Sequence, residues 1–157
     1  MFARTYDNAQ EMAEFVPPIY PKNKTELDAI LALLRNSFLT KNLNHKELKI
    51  IADAMFLKQY KAGEVIIRYG EIGSEYYVLK SGSIDVVVYK EGTKPTDSEL
   101  DSKILRTKTL PAGVGFGELA LLYNDKRTAT VRAAQDCAVW VLEGKVFKNI
   151  IIKQSMN

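Results

Sequence analysis

The 157-residue chain contains one cysteine and one histidine, and each scarcity removes a class of function. Cys137 alone permits no internal disulfide, which suits a reducing compartment. It lies in the apolar run "DCAVWVL", where a buried, inert thiol is expected. His45 alone cannot supply the several histidines of a cupin-type metal enzyme, nor a nucleophile–base triad. It opens a helical segment and reads as an exposed residue of a capping turn. Long apolar runs are also missing, since none approaches the roughly 20 residues of a spanning helix. The start, "MFARTYDNAQEMAEF", carries acids where a secretory signal would be apolar, so export is not expected. Charge of one sign is not in excess: 22 basic and 19 acidic side chains leave a net +3. No basic patch alternates with aromatics as a base-stacking platform requires. A membrane, nucleic acid, a metal and an organic cofactor are therefore not expected partners, and catalysis is not expected.

What is present is an ordinary globular composition, 46% hydrophobic and 26% charged, of single-domain size. Residues 1–23 end in "VPPIYPKN", whose three prolines fix the backbone and remove amide donors, so an extended connector is expected ahead of a domain over 24–157. Thr25 reads as the cap of a helix with Leu27, Ile30, Leu31, Leu34 and Phe38 at helical spacing. Asn44 with Glu47 three residues on reads as the capping box of a second helix, its stripe Leu48, Ile51 and Met55. Beyond Phe56 the period changes. "EVIIRYG", "YYVLKSG", "SIDVVVYK", "TATVRA" and "AVWVLEG" are short β-branched or aromatic runs separated by turn glycines at 63, 70, 73 and 82. "KEGTKPTDSELDSK" reads as a polar hairpin loop, and "KVFKNIIIKQSMN" returns to helical spacing. The fold class implied is α+β, an antiparallel β jelly-roll barrel flanked by N-terminal helices and a C-terminal helix.

The segment "PAGVGFGELALLYNDKRTATV" carries the chemistry. Gly113, Gly115 and Gly117 let the backbone approach a ligand closely. "GELALLY" reads as a short helix whose first amides would face an anion. Arg127 returns to the same place from the next strand with the planar fork suited to a phosphate. Glu118 would repel that phosphate unless it holds something else, and a carboxylate one ribose-length away suits a sugar hydroxyl. A phosphate joined to a ribose satisfies both. The competing reading is a surface ion pair between Glu118 and Arg127, worth about 0–1 kcal/mol.

"FGELALLYNDKRTATVRA" resembles the phosphate-binding cassette of cyclic-nucleotide-binding domains, and "YKAGEVIIRYGEIGSEYYVLKSGSIDVVV" resembles the family's earlier strands. The helical stretch from Thr25 to Phe56 is similar to the family's N-terminal helices. Within the family, the cassette is most similar to those of cyclic-nucleotide-dependent protein kinases, both the cAMP-dependent kinase's regulatory subunit and the cGMP-dependent kinase. The resemblance implies a regulatory, non-catalytic, cytoplasmic domain that binds cAMP or cGMP and partners a protein kinase catalytic subunit or domain. It implies that Arg127 clamps the cyclic phosphate with amides at Leu119 and Ala120, that Glu118 accepts the ribose 2′-hydroxyl, that Gly117 lets the sugar sit close, and that Ala129 lies against the phosphate. Thr128 replaces the alanine usual in the cAMP pattern. Its hydroxyl would accept a bond from the guanine 2-amino group, or it is a strand threonine without a ligand contact. Lys126 stands where proline is common, and "VLEG" replaces the family's usual acid–arginine pair after the tryptophan strand. Trp140 reads as a core side chain rather than a base-stacking cap.

Overall fold

The computed structural model describes residues 9–156, with side chains from Met12 onward. Two capping boxes start the main N-terminal helices. Helix α2, Lys24–Asn36, begins at Asn23, whose side chain accepts from Glu26 N at 2.8 Å while Glu26 Oε1 accepts from Asn23 N at 2.9 Å. The cap is thus Asn23 rather than Thr25, because only Asn23 has a glutamate three residues on to satisfy its own amide in return. Helix α3, His45–Asp53, repeats the device with Asn44 and Glu47, and His45 is exposed at its start. Ile30, Leu31 and Leu34 of α2 are buried as the spacing predicts, but Phe38 is 60% exposed. The helix stops at Asn36, and the extended backbone of Ser37 turns the chain away before Phe38 could join the stripe.

The stretch expected to be an extended connector contains a helix, α1, Ala9–Glu14. Met12 and Phe15 are buried, and the apolar contact they make stabilises a turn of helix that the prolines further on do not reach. Residues 1–8 lie outside the described residues, and 15–23 have no regular secondary structure. Lys22 pins this segment down. Its Nζ donates to the carbonyls of Tyr20 at 2.9 Å, Asp53 at 3.4 Å and Met55 at 2.7 Å, where α3 leaves carbonyls unpaired, and it lies 4.6 Å from the centre of the Trp140 ring.

Eight strands follow: β1 Phe56–Tyr60, β2 Val65–Ile67, β3 Glu75–Ser81, β4 Ser83–Tyr89, β5 Ile104–Pro111, β6 Gly115–Phe116, β7 Thr130–Ala133 and β8 Cys137–Glu143, before helix α4, Gly144–Ser155. They form two antiparallel four-stranded sheets, ordered β1-β8-β3-β6 and β2-β7-β4-β5. The architecture is an open sandwich with helices, and no ladder closes it into the expected barrel among the described residues. Strands β2 and β6 at the sheet edges are three and two residues long and offer few bonds with which to close it. The polar run from Lys90 to Lys103 joins β4 to β5 as a hairpin.

Strand β8 explains how the layers meet. All of Cys137 to Leu142 are buried because both faces of the strand are covered. Cys137, Val139 and Val141 point between the sheets, where they meet Ile67, Leu79, Ile84 and Val131. Trp140 and Leu142 point the other way, into a layer built with Ile30, Leu34, Ile51, Met55, Phe147 and Ile150 of the helices. Side chains that alternate across a strand therefore bind two cores together. Each fully buried large apolar side chain contributes on the order of 1.5–3 kcal/mol to this packing.

Candidate functional site

The cassette runs from β6 to β7. Gly117 ends the strand in the left-handed region, φ 81°, a conformation that glycine adopts without penalty. Glu118–Leu121 then make one turn of 3-10 helix in place of the expected short α-helix. Ala120 N donates to Gly117 O at 3.1 Å, so that amide is engaged within the turn itself. The Leu119 side chain is 56% exposed, while Ala120 and Leu121 are buried against the sheet.

Arg127 is held by the loop between β2 and β3. Its backbone N donates to Glu71 O at 2.7 Å, and its carbonyl accepts from Gly70 N at 2.8 Å. Its side chain, 11% exposed, turns inward: Nη2 donates to Glu75 O at 2.9 Å and lies 3.5 Å from Glu75 Oε2. The guanidinium carbon is 6.0 Å from the centre of the Tyr77 ring. Two glycines make the space. A Cβ at Gly73 would stand 1.8 Å from Arg127 Nε, and one at Gly117 would stand 2.8 Å from Nη1.

Glu118 faces elsewhere. Its Oε1 accepts a hydrogen bond of 2.5 Å from Ser37 Oγ, at the C-terminal end of α2. Glu118 and Arg127 therefore pair with separate partners, and the alternative of a direct Glu118–Arg127 ion pair is not formed. Thr128 is exposed, Ala129 is half-buried, and Thr130 is buried with its hydroxyl accepting from Tyr69 N and Tyr89 OH.

The surrounding electrostatics follow from burial. Tyr76 is pushed up to about 12 by burial and then by the Glu118 carboxylate. Tyr77 is pushed up further, by burial first and then by Glu75, with Arg127 acting in the opposite sense. Tyr77 stacks on Phe116 with ring centres 5.1 Å apart. A pocket of about 670 Å³ opens beside α4, lined by Phe56, Glu75, Tyr77, Val141, Glu143 and Lys148 among others. Neither Glu118 nor Arg127 lines it, although Glu75 and Tyr77 border both regions. Among the described residues, no group of three or more histidine, cysteine or acidic side chains could hold a metal ion, and no helix is long and apolar enough to cross a membrane.

Three residues outside the cassette also shape this site. Gly73 was legible only as a turn, Glu75 stands beside it in "GSEYY", and Ser37 lies 81 positions from its partner. An acid following a turn glycine is a faint signal for Glu75, and no spacing pattern points to Ser37.

Comparison with known proteins agrees with the geometry. The chain is 34% identical over 155 residues to a cAMP-dependent protein kinase regulatory subunit of Blastocladiella emersonii, covering 95% of this chain and 36% of the relative. It is 36% identical over 137 residues to cGMP-dependent protein kinase, isozyme 1, of Drosophila melanogaster, covering 86% of this chain and 16% of that one. The chain thus spans little more than a third of the curated regulatory subunits it matches. Among solved structures, cAMP-bound PfPKA-R is similar with a TM-score of 0.69 and 38% identity, covering 87% of this chain and 45% of that one. The family profile described as "Cyclic nucleotide-binding domain" matches residues 57–154, which include both sheets' principal strands, the whole cassette and most of α4, and the chain belongs to that family.

Proposed function

We propose that this domain is a non-catalytic sensor of a cyclic nucleotide, cAMP or cGMP, that regulates a cytoplasmic protein kinase catalytic subunit or domain. The observation that carries the reading is the separation of Glu118 from Arg127 on one short cassette. An acid and a base that merely balanced each other would pair. Here each is half-buried or deeper and points to its own partner, which suits a ligand with a hydroxyl to donate and a phosphate to accept.

In this reading Arg127 exchanges the Glu75 carboxylate for the cyclic phosphate, the Leu119 amide faces the same anion, and the Ala120 amide, which donates to Gly117 O without ligand, turns from that carbonyl to the phosphate. Glu118 accepts the ribose 2′-hydroxyl, Gly117 admits the sugar, and Ala129 packs beside the phosphate. Each charged contact contributes about 1.5–3 kcal/mol. Taking Arg127 away from Glu75 loosens the cassette's hold on the start of β3. The helices on the far face of that sheet then shift, and a kinase surface binds one arrangement better than the other. Ligand moves that equilibrium only by its differential affinity for the two states.

Thr128 and the likeness to the Drosophila cGMP-dependent kinase favour a second version in which cGMP is the preferred ligand. Isothermal titration with cAMP, cGMP and a plain nucleoside tests both. Saturable binding of a cyclic nucleotide with no binding of the nucleoside is the expected result, and no heat from either cyclic nucleotide overturns the proposal.

A further inference from the structure

The Ser37–Glu118 contact joins the turn after α2 to the cassette across 81 positions of sequence, and it is built rather than incidental. Ser37 is 9% exposed. Its backbone is fixed on both sides: the amide donates to Leu34 O, and its carbonyl accepts from Thr40 N and Lys41 N. Its hydroxyl accepts from Leu39 N at 3.3 Å while donating to Glu118 Oε1 at 2.5 Å. Both roles of the hydroxyl are filled, so the rotor has one setting. A carboxylate has about four lone-pair sites, and a single donor anchors one oxygen while leaving the other able to accept from a ligand.

We propose that Ser37 is a positioning residue for the carboxylate that faces the sugar, and that it makes the α2–α3 joint sensitive to occupancy of the ribose site. The proposal rests on the assignment of Glu118 to the 2′-hydroxyl. Without Ser37, no donor among the described residues fixes the Glu118 rotamer toward the turn, and a glutamate side chain left unanchored loses rotamer freedom when a ligand orders it. Ser37 therefore supports affinity only for ligands that carry the hydroxyl which Glu118 recognises.

Calorimetry on the wild type, Ser37→Ala and Ser37→Thr, each with cAMP and with 2′-deoxy-cAMP, tests this. Ser37→Ala is expected to lower affinity for cAMP about fivefold, the range of one hydrogen bond, and to leave the 2′-deoxy ligand within about twofold. Ser37→Thr restores the difference. Equal losses for both ligands, no loss, or tighter binding of cAMP to Ser37→Ala overturns the proposal. A second measurement needs no nucleotide. Hydrogen exchange on the ligand-free protein is expected to show residues 117–121 losing protection in Ser37→Ala and in Glu118→Ala, with nothing further lost in the double variant. Additive losses show that the two residues act independently and overturn the link. Should the wild type bind no nucleotide, the proposed function falls, and the exchange result still decides whether Ser37 positions Glu118.

Discussion

Arg127 donates to the backbone carbonyl of Glu75 at 2.9 Å and lies 3.5 Å from the same residue's carboxylate, so one residue of β3 holds this arginine by two oxygens. At 11% exposure the guanidinium is partly withdrawn from water, which strengthens its interaction with any anion that reaches it. Replacing it tests the site most directly. Arg127→Ala is expected to weaken cyclic-nucleotide binding at least about tenfold, and Arg127→Lys to recover only part of the loss, because an ammonium cannot present the two-pronged donor geometry. Titration calorimetry reads both, and unchanged affinity in the alanine variant removes Arg127 from the site.

Gly73 gives a test in which no residue assigned to the ligand is itself replaced. An added methyl would stand 1.8 Å from Arg127 Nε, so Gly73→Ala must push the guanidinium aside. Affinity is expected to fall about tenfold, the value of one charge-assisted pair, with the melting midpoint little changed. Paired calorimetry and thermal melts separate that outcome from general unfolding.

Thr128 is exposed at the end of the cassette. If its hydroxyl meets the guanine 2-amino group, Thr128→Ala lowers cGMP affinity several-fold and leaves cAMP affinity unchanged, as one neutral bond of about 0.5–1.5 kcal/mol allows. Competition titrations that show the same ratio of affinities in both proteins assign Thr128 to the strand alone.

Lys22 makes stability depend on pH in a defined window. Burial lowers its pKa from 10.5 to about 8, with Asp53 and Glu26 pulling the other way. Between those two values the unfolded chain holds a proton that the folded chain has released, so stability rises with pH across the window and is insensitive to this group below it. From about pH 10 Tyr76 acts in the opposite sense, and above 10.5 it acts without the Lys22 contribution. Tyr76 stays protonated in the fold up to about 12, whereas the unfolded chain ionises near 10.0. Thermal melts from pH 7 to 11 are expected to show the rise in wild type and its loss in Lys22→Met.

How much of this was legible in the sequence depends on how local each cause is. Strand β8 was legible because "AVWVLEG" is apolar on both faces, and the Asn44–Glu47 box because its two partners are three residues apart. Strands β1 and β5 were not singled out: Leu57 to Gln59 and Leu105 to Thr109 are half-buried at most, so no apolar alternation marks them. The Asn23 cap was missed because Thr25 competes for the role until the return bond from Glu26 is considered. At the site, Gly117, Glu118 and Arg127 lie within one continuous motif. Their partners Ser37 and Glu75 are brought in by the α2–α3 joint and by β3, and such long-range pairings leave no periodic trace in the chain.

Cys137 lies 5% exposed between the sheets, and burial raises its pKa, helped by Asp136 and Glu64. Few thiolates form there, and alkylating reagents have little access. A second cysteine placed at Phe38, beside the Ser37 joint, would consequently be the one fast target for a maleimide dye. The wild-type chain needs no cysteine removed before a fluorophore can follow movement of that joint during ligand titration.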